Sequence, residues 1–177
     1  MPKNVTQKNL PSYIRDIPDF PKKGIIFKDI TTLLKDQAAF KKVIDLLAKK
    51  YKNTKIDYVV AVESRGFIFG APLAYKLGVG FIPVRKKGKL PYKTKSVTYE
   101  LEYGSDTLEI HEDAVKAGVR VLLVDDLLAT GGTIKAVVDL LKEQKAKVVG
   151  LAFLVELGFL NGRNKLKGLP IEALIRY

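Results

Sequence analysis

The chain has 177 residues, of which 31 are Lys or Arg and 19 are Asp or Glu, so its formal net charge is +12. A chain of this length can bury an apolar core without disulfides, and the absence of cysteine excludes a disulfide framework, a thiolate metal site and a thiol nucleophile. With a single histidine, His111, a built-in transition-metal site is not expected either.

The positive charge alone does not identify a function. It indicates either a solvated lysine surface or an attraction for polyanions. The lysines are spread along the chain without a recognition helix, an RNP-like strand or zinc-ligand spacing, so we do not expect a nucleic-acid partner. No apolar run approaches the roughly 20 residues that span a bilayer, and the first residues lack a signal-peptide core. We therefore expect a cytoplasmic protein without a membrane contact.

The first half of the chain predicts a helix, a buried strand and a second, buried helix. Asp36 is placed to cap a helix over residues 37–50, where apolar side chains recur at helical spacing. Residues 56–62 (IDYVVAV) predict a buried strand that runs into Glu63-Ser64-Arg65-Gly66. The apolar segment 67–77 predicts a buried helix, although Pro72 leaves its start open by about a turn. Residues 79–84 predict the next strand.

The second half begins with an irregular basic stretch. Residues 85–96 (RKKGKLPYKTKS) have no periodicity, which predicts a mobile loop. Residues 97–110 predict two short strands around Tyr103-Gly104, in a hairpin-like flap. Further strands are predicted over 120–124, 147–157 and 171–175, and an amphipathic helix over 133–142.

Strands that alternate with helices predict an α/β fold in one domain over residues 1–177. Its sheet should be mostly parallel and twisted, with helices on both faces and the flexible flap as a hood. In such sheets ligands bind at the carboxyl ends of the strands. That rule selects two loops, residues 63–66 and residues 125–133.

The strongest chemical signal is the segment 121–133, VLLVDDLLATGGT. An apolar strand delivers two carboxylates, Asp125 and Asp126, and a short link then opens a helix. Small residues and hydroxyls at a helix amino terminus can cradle a phosphate, because backbone N–H groups converge there. The carboxylates suit ribose hydroxyls, or a magnesium ion through water. The segment predicts a site for a phosphorylated pentose.

This segment resembles the motif that binds phosphoribosyl pyrophosphate (PRPP) in type I phosphoribosyltransferases. Four further motifs, in the family's order, are similar to its adenine-specific branch: Phe20-Pro21 with GIIFKDI at 24–30, ESRGF at 63–67, RKKGKLP at 85–91 with YELEYG at 99–104, and VEL at 155–157 with Gly162-Arg163 to Leu166. The resemblance implies the type I phosphoribosyltransferase fold and the transfer of ribose 5-phosphate from PRPP to adenine.

The resemblance also implies a role for each motif. Asp125 and Asp126 would bind the ribose hydroxyls, and the 5-phosphate would lie on Ala129, Thr130, Gly131, Gly132 and Thr133. The pyrophosphate would contact Ser64, Arg65, Arg85, Lys86 and Lys89, with a cis peptide expected between Glu63 and Ser64. The amino-terminal segment, residues 1–35, would bind adenine through Ile26, Phe27 and Lys28. Family members often carry arginine at position 28, which matters if a guanidinium is needed there.

Glu102, within the flexible catalytic loop 85–110, is implied as the catalytic carboxylate that faces the base. It would stabilise charge on the ring or transfer a proton. Glu100 and Glu109 are rival carboxylates, which only the YELEYG match separates from Glu102. Mg²⁺ should arrive with PRPP, held by substrate oxygens and water. The resemblance implies a homodimer in which the basic loop reaches the partner's site. His111 is expected to have a surface or capping role.

Two alternatives stay open on the sequence. One is a phosphoribosyltransferase for hypoxanthine, guanine or xanthine, against which the base-binding segment and YELEYG argue. The other is a non-catalytic regulator that senses PRPP or a purine and binds nucleic acid. The charge of +12 suits such a regulator, which should also carry an added DNA-binding domain.

Overall fold

The computed structural model describes residues 4–100 and 104–177, which form a seven-stranded sheet, a two-stranded hairpin and four α-helices. The strands are β1 (Arg15–Pro18), β2 (Ile26–Asp29), β3 (Tyr58–Val62), β4 (Gly80–Lys86), β5 (Thr94–Glu100), β6 (Ser105–His111), β7 (Arg120–Leu128), β8 (Lys147–Glu156) and β9 (Ile171–Arg176). The α-helices are α1 (Thr31–Lys35), α2 (Gln37–Tyr51), α3 (Arg65–Leu77) and α4 (Gly132–Glu143). Short 3-10 helices span Gln7–Tyr13, Gly158–Leu160 and Gly162–Leu166.

The large sheet has the order β5-β6-β4-β3-β7-β8-β9. Strands β4, β3, β7, β8 and β9 pair in parallel, whereas β6 pairs antiparallel with β4 and β5. Parallel neighbours need a crossover, which α3 provides from β3 to β4 and α4 provides from β7 to β8. The predicted mostly parallel α/β sheet is confirmed.

Side chains alternate between the two faces of the sheet, and both faces are buried. Val59 and Ala61 of β3 lie in one core with α2 and α3, while Val60 and Val62 lie in another core with α4. This alternation follows from the two-residue period of a strand and confirms helices on both faces. None of the helices in the described ranges is long and apolar enough to cross a membrane.

Three element boundaries differ from those expected. Helix α3 begins at Arg65 with Pro72 inside it, so the proline does not delay its start. Strand β4 continues to Lys86 because its last residues pair with β6, which shortens the basic loop to residues 87–93. Strand β7 runs on through Asp125 to Leu128 because β8 continues to pair with it. Long-range pairing extends both strands beyond their apolar runs.

The predicted hairpin over residues 97–110 is present and longer than expected. Strands β5 and β6 pair from Thr94 opposite His111 to Glu100 opposite Ser105. The tip residues 101–103 lie outside the described part of the chain. A second hairpin, β1 with β2, carries the amino-terminal segment and was not expected from the sequence.

Candidate functional site

The carboxyl ends of β3 and β7 open onto two adjoining cavities, which have volumes of about 410 and 210 Å³. Arg65, Asp125, Asp126 and Thr133 line both of them. The larger cavity also has Ser64 and Lys86 in its wall, and the smaller one follows residues 127–134. The two loops selected from the sequence therefore meet at one place, because neighbouring parallel strands end at the same sheet edge.

Two adjacent carboxylates form the floor between the cavities. Asp126 is 4% exposed, and its Oδ2 lies 2.7 Å from Nε of Arg65. Asp125 accepts a hydrogen bond from the N–H of Asp126 (2.8 Å). Burial, followed by the charge of Asp126, raises the pKa of Asp125 well above its usual range, and burial also raises the pKa of Asp126. A ligand that donates hydrogen bonds to these two carboxylates would stabilise their charged form.

Gly66 allows the first turn of α3 to lie directly on these carboxylates. A Cβ at this position would be 2.9 Å from Oδ1 of Asp125 and 3.0 Å from the carbonyl oxygen of Val124. The first distance is shorter than real Cβ contacts and the second is at their limit, so packing requires glycine at position 66. The peptide bond between Glu63 and Ser64 is cis, as expected.

The segment 129–133 forms a turn that opens α4. The helix begins at Gly132, one residue earlier than expected, and Gly131 precedes it with a φ of +77°. A left-handed backbone of this kind favours glycine. The first N–H groups of a helix have no partner within the helix, so the start of α4 presents donors to the smaller cavity.

The basic residues at the end of β4 are paired with carboxylates. Arg85 donates to Oε2 of Glu63 (2.9 Å), and its Nη1 donates to the carbonyl oxygen of Lys89 (3.1 Å). Nζ of Lys86 lies 3.0 Å from Oδ2 of Asp106, which raises the pKa of Lys86. Of these, Lys86 lines the larger cavity.

Tyr99 and Asp106 are cavity residues that our sequence reasoning missed. They lie opposite each other in β5 and β6, and both line the larger cavity. Strand alternation gave a partial signal, since Val97 and Tyr99 both pack towards the core. Asp106 reaches the same place because it pairs opposite Tyr99, and strand alternation alone does not predict that register.

The β1–β2 hairpin is placed beside the site by Phe27 and Arg65. The ring of Phe27 meets that of Phe20 edge-on at 5.2 Å between centroids. The guanidinium carbon of Arg65 lies 5.8 Å from the centroid of Phe27. Because Arg65 also pairs with Asp126, it joins the predicted base-binding segment to the predicted ribose carboxylates.

The side chain of Lys28 is occupied by protein groups. Its Nζ lies 2.8 Å from Oδ1 of Asp16 and 3.8 Å from the ring centroid of Tyr177, and the side chain is 11% exposed. A ligand at position 28 would therefore be contacted by the backbone of Lys28 and not by its side chain. Ile26 is 56% exposed, and neither Ile26 nor Lys89 is among the described residues that line the two cavities. Glu102 lies outside the described residues.

His111 ends β6 and is half-buried. Its ring packs edge-on against Tyr92, 6.1 Å between centroids, and Nε2 is buried without a hydrogen-bond partner. His111 is not among the described residues that line the two cavities.

Residues 29–168 match the family model described as "Phosphoribosyl transferase domain". The chain is 58% identical over 168 residues to adenine phosphoribosyltransferase of Brachyspira hyodysenteriae, covering 95% of this chain and 99% of the relative. It is 60% identical to the enzyme of Geotalea uraniireducens over 168 residues, 95% of this chain and 98% of the relative.

The chain is also similar to solved structures of adenine phosphoribosyltransferases. The crystal structure of adenine phosphoribosyltransferase from Thermoanaerobacter pseudethanolicus superposes with a TM-score of 0.94 at 58% identity, covering 97% of this chain and all of that one. The Giardia lamblia enzyme, complexed with 9-deazaadenine, gives a TM-score of 0.93 at 38% identity, covering 98% of this chain and 99% of that one.

Proposed function

This chain belongs to the phosphoribosyl transferase domain family, among its adenine phosphoribosyltransferases, and from that premise we propose how its residues convert adenine and PRPP into AMP and pyrophosphate. The observation that carries the proposal is the shared floor of the two cavities. Partly buried Asp125 and buried Asp126 lie beside a glycine-rich helix start, so one ligand can place a diol on the carboxylates and a phosphate on the loop.

Binding of PRPP begins with an exchange of partners. The ribose 2- and 3-hydroxyls donate hydrogen bonds to Asp125 and Asp126, and the 5-phosphate accepts from the N–H groups and hydroxyls of residues 129–133. In the free protein, Arg65 neutralises Asp126. Once hydroxyls contact that carboxylate, the guanidinium can turn to the pyrophosphate.

The leaving group is stabilised by mobile positive charge. Ser64, Arg65 and Lys86 border the larger cavity, and Arg85 and Lys89 lie within three residues of Lys86 in the chain. As the bond between ribose C1 and the pyrophosphate oxygen breaks, negative charge grows on the pyrophosphate, and these cations lower its energy most in that state. Lys86 must leave Asp106 to take part.

Adenine attacks from the β1–β2 side. Its N9 forms the bond to C1 of an oxocarbenium-like ribose and loses its proton, while Phe27 and the backbone of Ile26 and Lys28 hold the ring. We assign Glu102 as the carboxylate near N7 that stabilises the positive charge on the ring as N9 bonds to C1 and that accepts the proton which the ring then loses. The backbone offers both donors and acceptors, as the edge of adenine requires.

Magnesium fits this site as a companion of PRPP. Mg²⁺ prefers oxygen ligands, keeps several waters and is usually bound through one or two carboxylates plus substrate phosphates. Pyrophosphate and ribose oxygens would hold the ion directly, and Asp125 and Asp126, which line the larger cavity, would contact it through water. When bound, the ion would offset the charge of the departing pyrophosphate.

We also propose a cytoplasmic homodimer. Lys89 belongs to the predicted pyrophosphate set, yet it does not line either cavity within the described part of its own chain. A second copy would give this lysine a site to act on.

Turnover with a panel of bases tests the proposal. Purified protein is incubated with PRPP, Mg²⁺ and each of adenine, hypoxanthine, guanine and xanthine, and nucleotides are separated by chromatography. We expect AMP from adenine, none of the other nucleotides at comparable rates, and loss of turnover when EDTA removes the metal. Formation of IMP or GMP would overturn the base assignment, and full activity in EDTA would overturn the magnesium assignment.

A further inference from the structure

The 3-10 helix Gly162–Leu166 touches the predicted 5-phosphate loop through its backbone. A Cβ at Gly162 would lie 2.2 Å from the carbonyl oxygen of Ala129, and a Cβ at Gly131 would lie 2.5 Å from the carbonyl oxygen of Gly162. Neither position can carry a side chain without moving one backbone away from the other. The two segments therefore form one unit, although about thirty residues separate them in sequence.

Residues on either side of Lys165 fix this 3-10 helix in place. Leu166 is 2% exposed and belongs to the same core as Leu128 and Ile134, which flank the loop. Arg163 donates two hydrogen bonds to Glu156 at the end of β8, at 2.8 and 2.6 Å. A bidentate pair to a buried carboxylate holds the turn in one orientation. The backbone that carries Lys165 is anchored from both sides.

The ammonium of Lys165 borders an opening at the start of α4. A Cβ at Gly132 would enter this opening without a clash and would lie 4.0 Å from Nζ of Lys165 and 4.0 Å from Oγ1 of Thr130. The carbonyl oxygen of Glu100 borders it at 3.9 Å. An ammonium and a hydroxyl thus converge on the space that the missing Cβ leaves at a helix amino terminus.

Lys165 also differs from Arg65, Arg85 and Lys86 in having an unpaired cationic group. Arg65, Arg85 and Lys86 each contact a carboxylate. The side chain of Lys165 is exposed, and its ammonium has no ion-pair or hydrogen-bond partner within residues 4–100 and 104–177. Its charge can act on a ligand without first giving up a partner.

We propose that Lys165 is a further binding residue for the 5-phosphate, its ammonium adding a charged donor to the N–H groups and hydroxyls of residues 129–133. This rests on the proposed 5-phosphate site. Lysine suits the task because it acts as a point charge on a long, flexible stem that can follow the phosphate into the opening. PRPP and AMP carry this phosphate, whereas adenine does not.

Binding of ribose 5-phosphate, AMP and adenine by calorimetry tests the role directly. We expect Lys165→Met to weaken ribose 5-phosphate and AMP about tenfold, as for a partly exposed charge-assisted contact, and to leave adenine unchanged. KM for PRPP should rise by a similar factor while KM for adenine stays constant. Lys165→Arg should restore most of the affinity, and Lys167→Met, two residues away and also exposed, is the matched control.

Gly132→Ala separates this inference from the function on which it rests. The added methyl fits without a clash but fills the opening, so it should weaken ribose 5-phosphate if the loop binds the phosphate. If Gly132→Ala loses affinity and Lys165→Met stays within twofold of the parent, the role of Lys165 is wrong and the loop assignment stands. If neither changes affinity, the 5-phosphate does not bind at this loop, and both assignments fail.

Discussion

At the scale of single residues, Asp125 and Asp126 lower the stability of the free protein when they are ionised, and the same carboxylates are the proposed ribose ligands. Their pKa values are raised by burial, and that of Asp125 also by the charge of its neighbour. Between the usual value of 3.8 and the raised one, the folded protein holds more protons than the unfolded chain. Stability contributed by the protonated form is therefore lost as pH rises through that window.

Asp125→Asn should stabilise the free protein at pH 7 by about 1 kcal/mol, because it removes a buried charge that repels Asp126. The gain should shrink as pH falls from 7 to 4 through the raised pKa of Asp125, because protonation removes the same charge from the parent. Denaturant unfolding at both pH values measures this, with exposed Asp113→Asn as the control. PRPP affinity should fall at the same time. An equal gain at both pH values would remove ionisation of Asp125 as the cause.

The catalytic assignment of Glu102 rests on the resemblance and can be tested against its neighbour Glu100. Glu102→Gln should lower kcat about 100- to 10,000-fold, the usual range for a lost acid–base group, with little change in PRPP affinity. Glu100→Gln, which changes an exposed side chain at the end of β5, should keep near-parental turnover. Single-turnover kinetics and PRPP binding compare the two variants. The reverse pattern would transfer the role to Glu100.

At the scale of elements, the start of α4 is built by two segments that meet only in the fold. Gly162→Ala should destabilise the protein by about 3 kcal/mol or more, because its Cβ would overlap the carbonyl oxygen of Ala129. Gly132→Ala, whose Cβ meets nothing closer than 3.9 Å, should unfold at the parental temperature. Thermal unfolding of the two variants measures the contrast. Equal melting temperatures would show that the turn relaxes freely.

The β1–β2 hairpin is attached to the body of the protein through Lys28. Its ammonium contacts both Asp16 of β1 and the ring of Tyr177. The backbone N–H of Tyr177 in turn donates to the carbonyl oxygen of Glu156 at the end of β8 (3.0 Å). A desolvated contact between a cation and an aromatic ring contributes up to about 2 kcal/mol. The contact thus ties the predicted base-binding segment to the sheet.

Lys28→Met should raise KM for adenine about three- to tenfold and leave KM for PRPP unchanged, because the ring contact and ion pair are lost only at the base segment. Lys28→Arg should behave as the parent, since a guanidinium can make both contacts. Steady-state kinetics with each substrate varied in turn distinguishes them. A parallel rise in both KM values would point to a general loss of folded protein.

At the scale of the whole molecule, the homodimer is the proposal that changes the site most. We predict a sedimentation mass of twice the 19.7 kDa chain. We further predict that mixing Lys89→Ala with Glu102→Gln restores about a quarter of parental activity, because half of the dimers are mixed and each mixed dimer has one intact site. That result requires Lys89 to act on the partner's site. Activity of the mixture equal to the mean of the two pure variants would place Lys89 in its own site.

Much of this architecture could be read from the sequence, because the relevant signals are local. Apolar runs marked β3, β7 and β8, and helical spacing marked α2 and α4. The segment 121–133 contains a strand, two carboxylates and a helix start within thirteen residues, so the chemistry of this site can be predicted without knowledge of the fold. The cis peptide at Glu63-Ser64 was likewise expected from the resemblance of one short motif.

Only the tertiary structure decided the contacts between residues far apart in the chain. The register of β5 on β6 places Tyr99 and Asp106 in the cavity wall. The packing of Gly162 on Ala129 places Lys165 beside the loop, and the ring of Tyr177 contacts the ammonium of Lys28. These positions depend on how sheet edges pair and how backbones approach, which local patterns do not encode. The sequence by itself determined which chemistry is available, and the fold determined which side chains are free to perform it.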